Sequence, residues 1–276
     1  MNISTKINFY YVFFLVLGCF MSCTDKATSQ DPIPTHVTLN IESKEVGETR
    51  VINIWTPPNY DGSKDAFPVL YMPDGGIQED FPHIANTIAA LIQSKKINPI
   101  ILVGIENTQR RRDLTGKTEV KEDKEIAPIV GGSEAFRSFI QKELIPEIDS
   151  KYRTTKEKGI IGESLAGLFV TETFLLYPQM FDFYIAFDPS LWWNDKKLLK
   201  DASKHLSAFS GGQKRYWFAG SSAEDIYVST RLLSKVLDSA KVENLKWQYS
   251  DEPKEEHSTI FRATKEKAII WAMNAR

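Results

Sequence analysis

The chain has 276 residues, of which 42% are hydrophobic, 25% charged and 12% aromatic, with a formal net charge of −2. Those proportions exclude a disordered or collagenous chain, and the near-neutral balance excludes a coat for nucleic acid or anionic membrane, which needs a strong positive excess. Two cysteines, Cys19 and Cys23, both near the start, leave no material for a disulfide scaffold or a cysteine-based zinc site.

Residues 1–22 read as an address. Lys6 is the only charge before an apolar run from Phe9 to Met21, which has signal-peptide length and is too short to cross a bilayer comfortably. The run ends in Phe20-Met21-Ser22-Cys23 and turns abruptly polar. This resembles the lipobox of bacterial lipoproteins, with Phe20 standing where Leu is usual. The resemblance implies export, with Cys23 lipidated as the first mature residue and the protein anchored on the periplasmic or cell-surface side of a bacterial membrane. Residues 23–35 are then a polar tether. Removing residues 1–22 leaves 33 basic against 36 acidic side chains and removes Cys19. With Cys23 carrying lipid, a nucleophile in the body must be something other than cysteine.

Residues 36–276 read as one domain in which strands and helices alternate, the pattern of a mostly parallel sheet covered on both faces. HVTLNIES and ETRVINIWTPP alternate apolar and polar residues, as a half-exposed antiparallel hairpin does. PVLYMPDGG is a buried strand ending in turn residues, FPHIANTIAALIQSKK a helix, and NPIILVGIEN a second buried strand. Residues 108–130 are highly charged and aperiodic, as a binding loop, a lid or a solvated insertion would be. SEAFRSFIQKELIPEIDSKY is an amphipathic helix with a kink or break expected at Pro146. GIIGES is a third buried strand and runs directly into the helix LAGLFVTETFLLY. FDFYIAFDPS, RYWFAGSS and LKWQYSDEP follow as strands, with IYVSTRLLSKVLDSAK and STIFRATKEKAIIWAM as helices.

The chemistry sits at Gly162-Glu163-Ser164-Leu165-Ala166, between a buried strand and a helix. A G-x-S-x-G pattern in that setting puts Ser on a sharp turn, with the helix N-terminus aimed at any negative charge that develops. Ala166 takes the last position, where Gly is usual, and is still small. A serine hydroxyl needs a base to take its proton. In the chain order Ser, acid, His, only His205 and His257 follow Ser164. His205 lies on a polar helix, whereas His257 follows the last strand and opens the last helix, which selects His257. The acid is sought in the loop after RYWFA, where Glu224 is taken ahead of Asp225. A dyad without an acid, or a contribution from Glu256, stays open. The oxyanion donors expected are the backbone N–H of Leu165 and the turn at Gly75 and Gly76.

These blocks resemble the Putative esterase branch of the α/β-hydrolases over roughly residues 45–273. The segments VLYMPDGG, ILVGIENTQRRRDLTG, IGESLAGLFV, FDFYIAFDPSLWWND and EEHSTIFRA carry the likeness. It is nearest to the enterobactin and bacillibactin (siderophore) esterases, with feruloyl and acetyl-xylan esterases further off. The resemblance implies an α/β-hydrolase fold with Ser164 as nucleophile, His257 as base and the Gly75–Gly76 turn in the oxyanion hole. It also implies a substrate-facing arginine among Arg110, Arg111 and Arg112, and an aromatic pocket at Trp192 and Trp193. Glu163 occupies a slot where that family often has His.

The expectation is therefore a serine carboxylic-ester hydrolase working through an acyl-enzyme on a small siderophore-like or aryl ester. It needs no metal, no organic cofactor and no nucleic acid, and meets the membrane only through its lipidated N-terminus. A carbohydrate esterase or an acyltransferase would share the same intermediate. A lipid-tethered binding protein without turnover is the reading from another class, fitting if the acid were absent or the long loop blocked the elbow.

Overall fold

The expected hairpin opens the fold: β1 (Val37–Ser43) pairs antiparallel with β2 (Glu48–Trp55). In this computed structural model, residues 31–126 and 129–275 are described, so the signal and Cys23 lie outside the described residues. Residues 31–35, counted with the tether, lie on the domain: Asn86 donates to the carbonyl of Pro32 and Arg262 to the carboxylate of Asp31.

From β3 (Phe67–Pro73) onward each strand is followed by cover. Helix α1 (Phe81–Gln93) leads to β4 (Ile101–Ile105). The long charged segment follows, folded into two short helices, α2 (Arg110–Leu114) and α3 (Lys121–Ile126). It is pinned from inside: the buried Asp113 accepts from Arg50 at 2.6 Å and from Arg112 at 2.7 Å.

The next predicted helix divides into α4 (Ser133–Phe139), a π-turn over Ile140–Leu144 and α5 (Ile145–Lys151). Pro146 supplies the cause. It has no N–H for the i−4 carbonyl and its ring crowds that carbonyl, so the ladder widens and Ile145 N–H reaches back to Ile140 O. Strand β5 (Thr154–Glu163) runs into α6 (Leu165–Leu176), all of whose residues except Glu172 and Leu176 are buried. Strand β6 (Phe183–Phe187), α7 (Trp193–Ser207), β7 (Lys214–Gly220), α8 (Glu224–Ala240), β8 (Leu245–Asp251) and α9 (Ile260–Asn274) complete the chain.

The eight strands form one sheet in the order β1-β2-β4-β3-β5-β6-β7-β8, antiparallel through β1, β2 and β4 and parallel from there on. Two apolar layers sandwich it. Helices α1 and α9 close one face with Ile84, Ile88, Ile269 and Ala272; α4, α6, α7 and α8 close the other with Phe136, Phe169, Leu199 and Leu233. This is the mostly parallel, doubly covered sheet that the alternation of elements implies, and the α/β-hydrolase fold that the family resemblance implies. Its parallel strands β3, β5, β6 and β7 all end on one rim, where the carboxyl ends of an open α/β sheet place ligands.

Candidate active site

Ser164 stands between β5 and α6 with φ 60° and ψ −117°, a left-handed backbone that side chains seldom adopt. Its neighbours make the bend possible. A Cβ on Gly162 would lie 2.7 Å from the backbone and side chain of Ala166, so the turn closes only with hydrogen at that position. The bend is held by hydrogen bonds to the end of β6 and the turn after it: Ser164 N–H donates to Phe187 O at 3.0 Å, and Ser190 N–H to Ser164 O at 3.1 Å.

His257, in the loop between β8 and α9, brings Nε2 to 3.1 Å from Ser164 Oγ. Its other nitrogen, Nδ1, is 2.9 Å from Oδ2 of Asp188. Asp188 is fully buried at the end of β6, and its oxygens also accept the Ser221 N–H and O–H, each at 2.6 Å. Three donors converging on one carboxylate fix its direction and require Nδ1 of His257 to carry a hydrogen. Nε2 is then left as acceptor for the serine hydroxyl. The bond to Asp188 holds the His257 pKa above its ordinary value; burial opposes this, and the neighbouring Glu163 adds to it.

Asp188 corrects the expectation for the acid. Glu224 and Asp225 sit exposed in the first turn of α8, and Asp225 Oδ1 accepts from the N–H of Ile226. The place beside His257 Nδ1 is taken by Asp188, and the loop after β7 is tied to that carboxylate through Ser221. Glu256 is likewise exposed. One signal for Asp188 was in the sequence: an Asp-Pro step closes the buried strand that follows the Ser164 helix.

Glu163 is a second carboxylate at the histidine. Its Oε1 is 3.5 Å from His257 Nε2. Burial pushes its pKa up to about 7 against the pull of His257 and Arg110.

Leu165 N–H, at the first position of α6, has no intrahelical acceptor and lies at the positive end of the helix dipole. The Gly75–Gly76 turn differs from the expectation. Gly75 N–H donates to Ile105 O at 2.9 Å and Gly76 N–H to Glu79 Oε2 at 2.7 Å, so both amides are engaged. The glycines serve close packing instead: a Cβ on Gly75 would lie 2.3 Å from Gly104 Cα.

The three arginines separate. Arg110 forms a two-point ion pair with Asp74, Nε to Oδ1 and Nη2 to Oδ2 both at 2.7 Å, and reaches the carbonyl of Glu163 at 3.4 Å. It therefore braces the turn after β3 against the nucleophile turn. Arg111 is exposed. Arg112 points away from the site, into Glu48 and Asp113. Trp193 is largely buried, donates to Gly116 O at 3.0 Å under the charged segment, and lines a cavity with Gly116, Leu168 and Leu198 whose walls include none of Ser164, His257 and Asp188. Trp192 is half-buried beside it, 6.0 Å between ring centroids. No group of three or more His, Cys, Asp or Glu side chains is placed to hold a metal ion among the described residues.

Residues 43–272 match the family described as Putative esterase. The chain is 33% identical over 170 residues to the ferri-bacillibactin esterase BesA of Bacillus subtilis, covering 55% of this chain and 56% of that protein. It thus spans little more than half the length of that relative. An IroE-like serine hydrolase from Shewanella oneidensis superposes with a TM-score of 0.79 at 26% identity, over 86% of this chain and 79% of its own. The BES protein from Bacillus cereus superposes with a TM-score of 0.78 at 22% identity, over 88% and 98%, a likeness of fold.

Proposed function

The chain belongs to the Putative esterase family, and we propose that it hydrolyses carboxylic esters through an acyl-enzyme on Ser164. The observation that carries this reading is the unbroken line of hydrogen bonds from buried Asp188 through His257 to Ser164. His257 Nε2 takes the hydroxyl proton as Ser164 Oγ bonds to the ester carbonyl carbon. The imidazolium formed is stabilised by Asp188, and the new oxyanion by Leu165 N–H at the start of α6. His257 then returns the proton to the alcohol oxygen as that carbon–oxygen bond breaks. A water, deprotonated by the same nitrogen, attacks the acyl-enzyme and releases the acid.

Siderophore-like esters are the proposed substrates, on the likeness to the Bacillus subtilis ferri-bacillibactin esterase. The binding-only alternative required a missing acid or a blocked elbow. Asp188 supplies an acid, and the His257 side chain is 44% exposed. The test is turnover of p-nitrophenyl butyrate and of a catecholate trilactone by the domain and by Ser164→Ala. Burst release that vanishes in the variant supports the reading; a wild type as inert as the variant on both substrates removes it. We further propose that Cys23 is lipidated after export. Incorporation of labelled palmitate that is lost in Cys23→Ser supports this, and equal incorporation in both removes it.

A further inference from the structure

Ser164 Oγ has a second neighbour besides the imidazole: the hydroxyl of Ser190, 3.5 Å away. Ser190 is 2% exposed, on the turn that carries Asp188, and among the described residues its hydroxyl has Ser164 Oγ as side-chain partner. The histidine fixes which of the two hydroxyls donates. Nε2 of His257 is an acceptor, so Ser164 spends its own hydrogen on that nitrogen and turns a lone pair of Oγ toward Ser190. Ser190 O–H is therefore the donor.

The surrounding backbone aims this hydroxyl. Ser190 N–H donates to Ser164 O at 3.1 Å, so one residue meets the nucleophile through both backbone and side chain. The turn leading to it holds Asp188 in a left-handed conformation, φ 42°, and presses onto the first turn of α6. A Cβ on Gly167 would lie 2.7 Å from Phe187 O and 3.1 Å from Pro189 Cα, so that approach requires glycine. The turn that points Asp188 at His257 thus points Ser190 at Oγ.

At 3.5 Å the contact is longer than the about 2.7–2.8 Å of an ordinary hydroxyl pair. It contributes little in the free enzyme and gains wherever Oγ becomes a better acceptor; an interaction that tightens only toward the transition state raises kcat. Oγ changes as an acceptor through the reaction. In the acyl-enzyme its lone pair is delocalised into the acyl carbonyl, which makes it a poor acceptor. Addition of water to that carbonyl ends the delocalisation. As the carbon–Oγ bond then breaks, its electron pair collects on Oγ and the proton that neutralises it comes from Nε2 of His257.

We propose that Ser190 is a catalytic residue for deacylation, donating a hydrogen bond to Ser164 Oγ as that oxygen leaves the acyl carbon. The proposal rests on the esterase reading. Acylation gains far less, because the hydroxyl of the free enzyme already accepts this bond.

The test is stopped-flow hydrolysis of p-nitrophenyl butyrate, in which the burst of p-nitrophenolate reports acylation and the slower release after it reports deacylation. Ser190→Ala should deacylate about tenfold more slowly, with a burst rate within about threefold of the wild type. Its kcat and KM should fall together, leaving kcat/KM nearly unchanged, and the butyryl-enzyme should persist longer by intact mass. A merely structural Ser190 would misplace Ser164 and lower kcat/KM instead. Burst amplitude counts folded sites, so a partial loss of folded protein cancels from both rates. Ser190→Cys keeps the bulk with a weak donor; it should show the same split less strongly, and it replaces Ser190→Ala if that variant does not fold. Where the wild type turns over without a burst, the variant should gain one. Deacylation at the wild-type rate, two rates that fall in proportion, or no burst gained overturns the proposal and leaves the esterase reading standing. A wild type that releases no p-nitrophenolate overturns both.

Discussion

Glu163 of β5 and Phe187 of β6 are partners in parallel register, so the next residue of each strand, Ser164 and Asp188, leaves the sheet side by side. His257 then needs only to bridge the two, which it does at 3.1 Å and 2.9 Å. Asp188→Asn keeps the shape but favours the wrong imidazole tautomer, and kcat should fall by roughly 10³–10⁴-fold. Glu224→Gln and Asp225→Asn, on exposed carboxylates, should alter it by no more than about threefold. Steady-state kinetics on a p-nitrophenyl ester separate the two assignments; a larger loss in Glu224→Gln than in Asp188→Asn reverses them.

The pH profile tests Glu163. His257 must be neutral to act, and Asp188 first, then Glu163, raise its pKa, so the acid limb of kcat/KM should lie above the ordinary histidine value of about 6.5. Glu163→Gln removes an anion that favours the imidazolium. The limb should therefore move to lower pH, with activity gained at mildly acid pH relative to the optimum. A limb that stays in place or climbs would show that Glu163 does not act on the base.

Gly162 is required by space. An added methyl would meet the first turn of α6 at 2.7 Å, and backbone cannot swing aside as a flexible side chain can. Gly162→Ala should cost about 1–3 kcal/mol, seen as a Tm lower by about 2–4 °C for each kcal/mol in a domain of this size. Turnover should drop as well, since the same shift displaces Ser164. An unchanged Tm would mean that the elbow has slack.

Arg110 and Asp74 should behave as a unit. Asp74 is nearly buried, and Arg110→Met strands its charge, at a cost of about 1–3 kcal/mol. The double variant Asp74→Asn with Arg110→Met should recover part of that loss, because no charge is left unpaired. Denaturant midpoints of the four proteins decide it, and strictly additive losses would mean that the pair is not coupled.

Most of the scaffold was legible because its signals are local. Short apolar runs ending in turn residues read as parallel strands, and the G-E-S-L-A step between strand and helix marked Ser164. Chain order narrowed the base to His205 and His257, and the element on which each lies chose His257. Asp188 could not, because what selects it is strand adjacency: β6 lies against β5, whereas the loop after β7 is one strand further away. Proximity in sequence to a turn made Glu224 attractive, and Ser221 holding that loop onto Asp188 leaves it facing solvent. The Gly75–Gly76 turn failed for another reason. A sequence gives the position of a glycine turn but not the direction of its amides, which here go to Ile105 and Glu79. Trp193 illustrates the same limit: the sequence places an aromatic there, but not that the cavity it lines, shared with Gly116 and Leu168, has neither Ser164 nor His257 in its walls.

The most direct test of the account is covalent labelling of the folded domain with a fluorophosphonate, read by intact mass and peptide mapping. One adduct on Ser164 is expected, abolished in Ser164→Ala and strongly slowed in His257→Ala and Asp188→Asn. A folded protein that takes no label, or takes it equally well in Ser164→Ala, would contradict the account.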